Sequence, residues 1–243
     1  FGGAQYSETL SSSDIWQYLP ATKVEVENVS KTFEEVGLKQ NLFVGKDATE
    51  AQFKNLEKSP ASIVHVATHG FFYPDLTDYE ASELAVVETE EDVQFRGGSK
   101  GYETFVKNKD PLMRAGMVFT GANNVWKESL EGEEDGVLTA YEVSNLNLSS
   151  VELVVLSACE TGLGEIRGSE GVYGLQRASK TAGVGQLIMS LWQEPDKETQ
   201  EFMNQFYSNL LKLGNTYQAF SATQESMKQQ LDPYYWGAFV LVE

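Results

Sequence analysis

Apolar positions along this chain follow two rhythms: short continuous runs, and longer stretches in which they recur every three or four residues. The first marks buried strands and the second amphipathic helices. Val29, Phe33 and Val36 recur at helical spacing behind Pro20, with Gly37 just beyond, which predicts a helix over 20–36. Residues 41–45 read as a short strand. Asp47 with Glu50 three positions on has the form of a capping box, opening a helix through Phe53 and Leu56 that stops before Pro60. Residues 61–68 are the next strand, and a further strand-like run lies near Met117 to Thr120.

The second half repeats the alternation. Thr139 with Glu142 predicts a short capped helix, and Val151 to Ala158 is a near-continuous apolar run of the buried parallel type. Val172, Leu175, Ala178 and Ala182 mark a helix closed by Gly183, followed by a buried strand from Leu187 to Trp192. Asp196 stands where a cap belongs, before a helix carrying Phe202, Met203, Phe206 and Leu210 up to Gly214. Asn215 caps another helix, and Trp236 to Val242 is a last strand after Pro233. Strands alternating with helices predict an α/β fold with a mostly parallel central sheet flanked by helices on both faces.

Length and composition refine this picture. A chain of 243 residues, 41% of them hydrophobic, fits one domain over 1–243. The stretch at about 74–110, with acidic Glu88 to Asp92 and the pair Gly97-Gly98, reads as an insertion. Phe1-Gly2-Gly3-Ala4 reads like the end of a strand already inside a domain, so a segment upstream is expected. With 36 acidic against 18 basic residues the formal charge is −18, which repels phosphate backbones and anionic membranes. Nucleic acid and membrane are therefore excluded as partners, and no apolar run approaches a membrane span. A single cysteine forms no internal disulfide and suits a reducing compartment, so the expected location is cytoplasmic.

The chemistry is expected at the carboxyl ends of the strands, where loops converge on a crevice. One strand, Ser62 to Thr68, runs directly into His69-Gly70, and another, Leu153 to Ala158, runs into Cys159-Glu160-Thr161-Gly162. Two strand ends thus present an imidazole and a thiol. A thiol with an ordinary pKa of about 8.5 is little ionised at neutral pH, and a neighbouring imidazole is its usual activator. His69 suits that role and the later return of a proton to the leaving amine. The backbone N–H groups of Gly70 and Cys159 are the candidate oxyanion hole. A lone cysteine or histidine at a strand end is ordinarily a packing residue. The joint pattern is what separates this pair from that reading.

Val66-Ala67-Thr68-His69-Gly70-Phe71-Phe72 and Leu156-Ser157-Ala158-Cys159-Glu160-Thr161-Gly162 resemble the signature segments of CHAT peptidases, relatives of caspases, gingipains and separases. Leu112-Met113-Arg114-Ala115-Gly116, Gly136-Val137-Leu138-Thr139-Ala140, Gly171-Val172-Tyr173-Gly174-Leu175, Ser190-Leu191-Trp192 and Trp236-Gly237-Ala238-Phe239 are similar too, in the same order. The resemblance implies a caspase-like fold, a His69/Cys159 dyad, and cleavage of a polypeptide through a thioester acyl-enzyme with no metal or organic cofactor. It also implies helical repeats or an activating partner outside this chain. One departure stands out: Glu194 occupies a position where the family often has a hydrophobic residue. If an extended substrate pairs beside that segment, Trp192, Glu194 and Asp196 shape specificity, with acidic groups favouring a basic residue before the scissile bond.

Other readings stay open. The domain is alternatively a catalytically silent interaction module, or a zymogen whose segment around 88–110 blocks the site. Gly162-Leu163-Gly164-Glu165-Ile166-Arg167-Gly168 imitates a dinucleotide-binding turn, but its spacing is off by one and Glu165 lies inside it. His65 and His69 are four apart, a metal-ligand spacing on a helix, yet their valine-rich flanks predict a strand. His65 is expected to pack.

Overall fold

The computed structural model describes residues 1–8, 14–73, 105–127, 134–157, 165–166, 172–192 and 195–243. A six-stranded sheet forms its centre, built from β1 (Gly2–Ala4), β2 (Val44–Gly45), β3 (Ile63–Ala67), β7 (Leu153–Ser157), β10 (Gln186–Ser190) and β11 (Phe239–Val242). The order is β11-β10-β7-β3-β1-β2. Every neighbouring pair is parallel except β10 with β11. The expected α/β architecture, a mostly parallel sheet with helices on both faces, is the one observed.

The near-continuous apolar strands have a simple cause, because successive side chains point to opposite faces and both faces are covered. Leu153 and Val155 of β7 and Ile188 of β10 pack with Phe202, Phe206, Tyr207 and Phe220. Those come from helices α6 (Asp196–Leu213) and α7 (Thr216–Lys228), which lie with α1 (Pro20–Glu35) on that face. Val154, Leu156, Leu187 and Met189 face the other way, against Phe53, Leu56, Val143, Leu175 and Ala178. These belong to α2 (Glu50–Lys54) with the 3-10 turn behind it, α4 (Ala140–Ser144) and α5 (Leu175–Thr181). Two further helices are α3 (Ala122–Lys127) and α8 (Pro233–Trp236).

A second sheet was not anticipated from the sequence. It is antiparallel, with order β4-β5-β6, and comprises β4 (Gly70–Phe72), β5 (Ala115–Val118) and β6 (Val137–Thr139). A two-stranded ribbon pairs β8 (Glu165–Ile166) with β9 (Val172–Tyr173). The helix expected from Val172 therefore begins later, at Leu175. Within the glycine-containing segment Glu165 and Ile166 form β8 of that ribbon, and the rest of the segment imitating a dinucleotide-binding turn lies outside the described residues.

Local signals held where the capping atoms are themselves local. Thr139 and Glu142 make the reciprocal capping box of α4, and Asn215 accepts from the Gln218 N–H at the start of α7. Gly214 ends α6 in the left-handed region at φ 63°. Two caps differ from expectation. Thr49, not Asp47, caps α2, and Glu50 turns inward to accept from the Gly136 N–H at 3.0 Å. Its carboxylate lies 2.6 Å from Lys54, and burial pushes its pKa up to about 8 against that hydrogen bond. Pro195 occupies the N-cap position of α6, leaving Asp196 as its first helical residue. The strand expected over 41–45 is paired only at Val44–Gly45. The insertion expected at about 74–110 lies outside the described residues up to 104.

Candidate active site

β3 and β7 are adjacent and parallel, in register from Ile63↔Leu153 to Ala67↔Ser157. His69 comes two residues after the last β3 partner, and Cys159 comes two residues after the last β7 partner. Cys159 and Glu194 lie outside the described residues.

The geometry of His69 is built by residues far away in sequence. Its Nε2 hydrogen-bonds the backbone carbonyl of Gln17 at 2.7 Å. A carbonyl only accepts, so Nε2 carries the proton and the neutral ring keeps its lone pair on Nδ1. The ring packs between Tyr6 and Trp16, with centroids at 5.2 and 5.4 Å. Burial lowers the His69 pKa below its ordinary 6.5, opposed by the Gln17 hydrogen bond. The imidazole is thereby kept neutral and oriented, the state a proton acceptor needs.

Asn123, at the start of α3, holds the arm that carries these groups. It is 1% exposed. Its Oδ1 accepts from the Trp16 N–H, while its Nδ2 donates to the Trp16 carbonyl and to Ser7 Oγ. Ser7 in turn donates to Asp14 at 2.8 Å, and the Asn123 backbone N–H donates to the Tyr6 carbonyl. On the other side of His69, Thr68 donates to the Val118 carbonyl and so receives the Tyr6 hydroxyl proton at 2.8 Å. Nothing in the sequence joined Tyr6, Trp16, Gln17 or Asn123 to His69. Three of them stand in irregular segments, and no periodicity marks a residue that acts through its backbone carbonyl.

Gly70, first residue of β4, is opposite Met117. The flanking bonds run from the Val118 N–H to the His69 carbonyl and from the Tyr73 N–H to the Arg114 carbonyl. Alternation in an antiparallel ladder therefore directs the Gly70 N–H away from β5, on the side of β4 where no other described strand pairs. Trp192 follows β10 by two residues. Its indole N–H donates to the Tyr234 carbonyl at 3.0 Å, and its ring stacks on Tyr234. β10 is itself paired on both sides, so the segment carrying Trp192 emerges from inside the sheet, not from its edge strand.

His65 is not a mere packing residue. It lies on the α1 and α6 face, with Nδ1 2.9 Å from Tyr207 Oη and Nε2 3.0 Å from Glu25. All three side chains are buried, which separates them from the His69 site. Among the described residues, no group of three His, Cys, Asp or Glu side chains is arranged to hold a metal ion.

A helix-covered parallel sheet that ends one strand at a neutral, oriented imidazole, beside a strand leading to the single thiol, defines a caspase-like α/β protein. The family model of the CHAT domain matches residues 1–243, and the chain belongs to that family, which is related to cysteine peptidases. It is also similar to tetratricopeptide repeat protein 28 of Mus musculus, 33% identical over 112 residues. The Homo sapiens protein of the same name is 34% identical over 112 residues. Each alignment covers 44% of this chain and 4% of the relative. Among the described residues no helix is long and apolar enough to cross a membrane.

Proposed function

We propose that this chain is a cysteine endopeptidase domain with Cys159 as nucleophile and His69 as general base and acid. The observation that carries the reading is the register of β3 and β7, which end together at Ala67↔Ser157, each two residues short of one member of the pair. The Gln17 hydrogen bond supports it by leaving His69 Nδ1 unprotonated. In the reaction, Nδ1 takes the thiol proton as Cys159 Sγ attacks the scissile carbonyl carbon. The oxyanion is stabilised by the N–H groups of Gly70 and Cys159. Collapse breaks the C–N bond, His69 returns the proton to the leaving amine, and a thioester remains. Water, deprotonated by the same imidazole, then releases the acid and regenerates the thiol.

The whole catalytic unit is contained in one domain over 1–243 and needs no metal or organic cofactor. Trp192, Glu194 and Asp196 border the bound peptide, and the acidic pair favours Arg or Lys before the scissile bond. The tetratricopeptide names of the two relatives support repeats outside this chain that present a substrate or receive an activating partner. A lone thiol nucleophile suits a reducing, cytoplasmic setting. Cleavage of a diverse peptide library, read by mass spectrometry, tests the reading. Wild type should cut, and Cys159→Ala and His69→Ala should not. Equal cutting by Cys159→Ala would remove the mechanism, and cutting without preference for Arg or Lys would remove the specificity assignment.

A further inference from the structure

One buried carboxyl group has no part in the chemistry proposed above. Glu50, the first residue of α2, has a side chain only 2% exposed. One of its oxygens accepts from the Gly136 N–H at 3.0 Å, and the other lies 2.6 Å from Lys54 Nζ. The same ammonium reaches two more carboxyl groups, Glu134 at 2.9 Å and Glu142 of α4 at 3.0 Å. Glu50 and Glu134 are also hydrogen-bonded to each other through their side chains. Three carboxyl groups thus converge on one cation. Asp135, next in the chain, has its Oδ1 held by the Val137 N–H at 2.8 Å. Lys46 and Asp47, on the approach to α2, are exposed, and residues 115–126, which run from β5 into α3, include no charged residue.

Two carboxyl groups hydrogen-bond only when one of them carries a proton, because an ionised carboxylate accepts and does not donate. The charges around Lys54 call for the same proton, since one ammonium does not neutralise three carboxylates withdrawn from water. It belongs to Glu50, the most buried of the three, where the charged form is disfavoured most. Burial raises Glu50 to about 8 against its Lys54 hydrogen bond, whereas at Glu134 burial is outweighed by the bonds to Glu50 and Lys54, and the pKa falls. Burial also raises Asp135, opposed by the Val137 N–H. At Lys54 burial opposes the charge, but the bonds to the three carboxyl groups prevail and keep it protonated.

The cluster stands where the chain enters β6. Gly136 has φ 80°, and a Cβ there would lie 2.6 Å from the Thr120 carbonyl oxygen and 2.7 Å from the Ala122 nitrogen. This turn is therefore packed against the end of β5 and the start of α3. The Gly136 carbonyl accepts from the Phe119 N–H at 2.6 Å, and the neighbouring Val118 N–H donates to the His69 carbonyl at 3.1 Å.

We propose that Glu50, Lys54 and Glu134 form a proton-dependent latch: with a proton on Glu50 they hold the entry to β6 against α2, and loss of that proton expels Glu134 and loosens residues 134–136. Glu134 is the side chain that leaves, because it is 43% exposed and regains water, whereas Glu50 stays tied to Lys54 and to the Gly136 N–H. The proton passes from the Glu50 carboxyl to solvent, and no other covalent bond changes. Loosening this turn weakens the Gly136–Phe119 bond, so the strand that holds His69 is firmer at acidic than at alkaline pH. Between the ordinary value of 4.5 and the folded value of about 8, the folded chain holds a proton that the unfolded chain has lost. Rising pH therefore removes stability across that window and stops doing so above it. The latch requires neither Cys159 nor peptide cleavage.

Carbon NMR of the glutamate side chains, in Cys159→Ala so that the thiol does not titrate, tests the proton directly. One carboxyl should titrate with a midpoint above about pH 6, well outside the ordinary glutamate range, and should vanish in Glu50→Gln. Titration of every glutamate carboxyl below that pH would overturn the proposal. From about pH 6 to about pH 9, the unfolding constant of the parent should rise at least about tenfold relative to Glu50→Gln, in which the groups common to both chains cancel. Parallel pH profiles of the two proteins would overturn it. Glu134→Ala, at a half-exposed position, serves where Glu50→Gln does not fold: the high glutamate midpoint should move to lower pH, and an unmoved midpoint would uncouple the two carboxyl groups. The Phe119 amide should exchange at least about threefold faster in the parent than in Glu50→Gln at about pH 9, and equally at about pH 6. Equal exchange at both would show that the proton does not control the turn. None of these readouts involves cleavage, so they stand whether or not the peptidase assignment does.

Discussion

The backbone carbonyl of Gln17 accepts a hydrogen bond from Nε2 of His69 at 2.7 Å, across 52 residues of chain. This contact with a backbone carbonyl sets the tautomer of the candidate base. It makes the histidine depend on an N-terminal arm whose conformation is maintained elsewhere, by Asn123 and by the packing of Tyr6 and Trp16.

Burial of His69 gives a pH prediction. Its folded pKa is lowered below 6.5, so in the window just below 6.5 the unfolded chain binds more protons than the folded one. This group therefore removes stability as pH falls from 6.5 toward the folded pKa and has no effect above that window. In Cys159→Ala, which isolates the imidazole from the thiol, the His69 ring should titrate below 6.5 by NMR. A midpoint at 6.5 or higher would contradict the environment described, and with only two histidines in the chain the assignment is simple.

Asn123→Ala removes three side-chain hydrogen bonds, two of them to the buried backbone of Trp16. The expected cost is about 2 kcal/mol of stability in chemical denaturation. The same variant should shift the His69 titration toward 6.5, because the arm that covers the ring loosens. A loss of stability with no change at His69 would separate the arm from the imidazole.

His65→Ala distinguishes the two histidines. It leaves the buried Glu25 carboxyl and Tyr207 hydroxyl without their partner, for an expected loss of about 3 kcal/mol. The reactivity of Cys159 toward a thiol reagent at a temperature where the variant is folded should match wild type. A comparable loss of thiol reactivity would place His65 in the catalytic path.

Gly116→Ala tests the second sheet. A Cβ there would lie 2.6 Å from the Leu138 carbonyl oxygen and 2.7 Å from the Phe71 ring, inside any tolerable contact. β4 and β6 must move apart, at an expected cost of about 1–3 kcal/mol. Since β4 carries Gly70, peptide cleavage should fall by more than the folded fraction does; unchanged cleavage per folded molecule would detach Gly70 from the oxyanion role.

How far the sequence could be read depended on the range of the forces involved. Leu153 to Ser157 announced a buried strand because both of its faces are covered, and every residue had to be apolar or small. Thr139 with Glu142, Asn215 and Gly214 were legible for a similar reason, since a helix end is satisfied by atoms within four residues. His69 and Cys159 stood out as candidates because each follows such a strand by two residues. Where Asp47 and Glu50 formed a cap by spacing, the cap went to Thr49, because Glu50 was drawn inward by Gly136 and Lys54, partners that spacing does not reveal.

By itself, the sequence determined the alternation of strands and helices, the covered parallel sheet and the two strand ends that bear an imidazole and a thiol. Each rests on apolar periodicity or on contacts between near neighbours. Only the tertiary structure decided which nitrogen of His69 carries the proton, that Asn123 supports it, that His65 belongs to a separate buried group, and that the strand expected over 41–45 pairs only at Val44–Gly45. These depend on backbone atoms and single side chains brought together from distant segments, and such contacts leave no periodic trace in the chain.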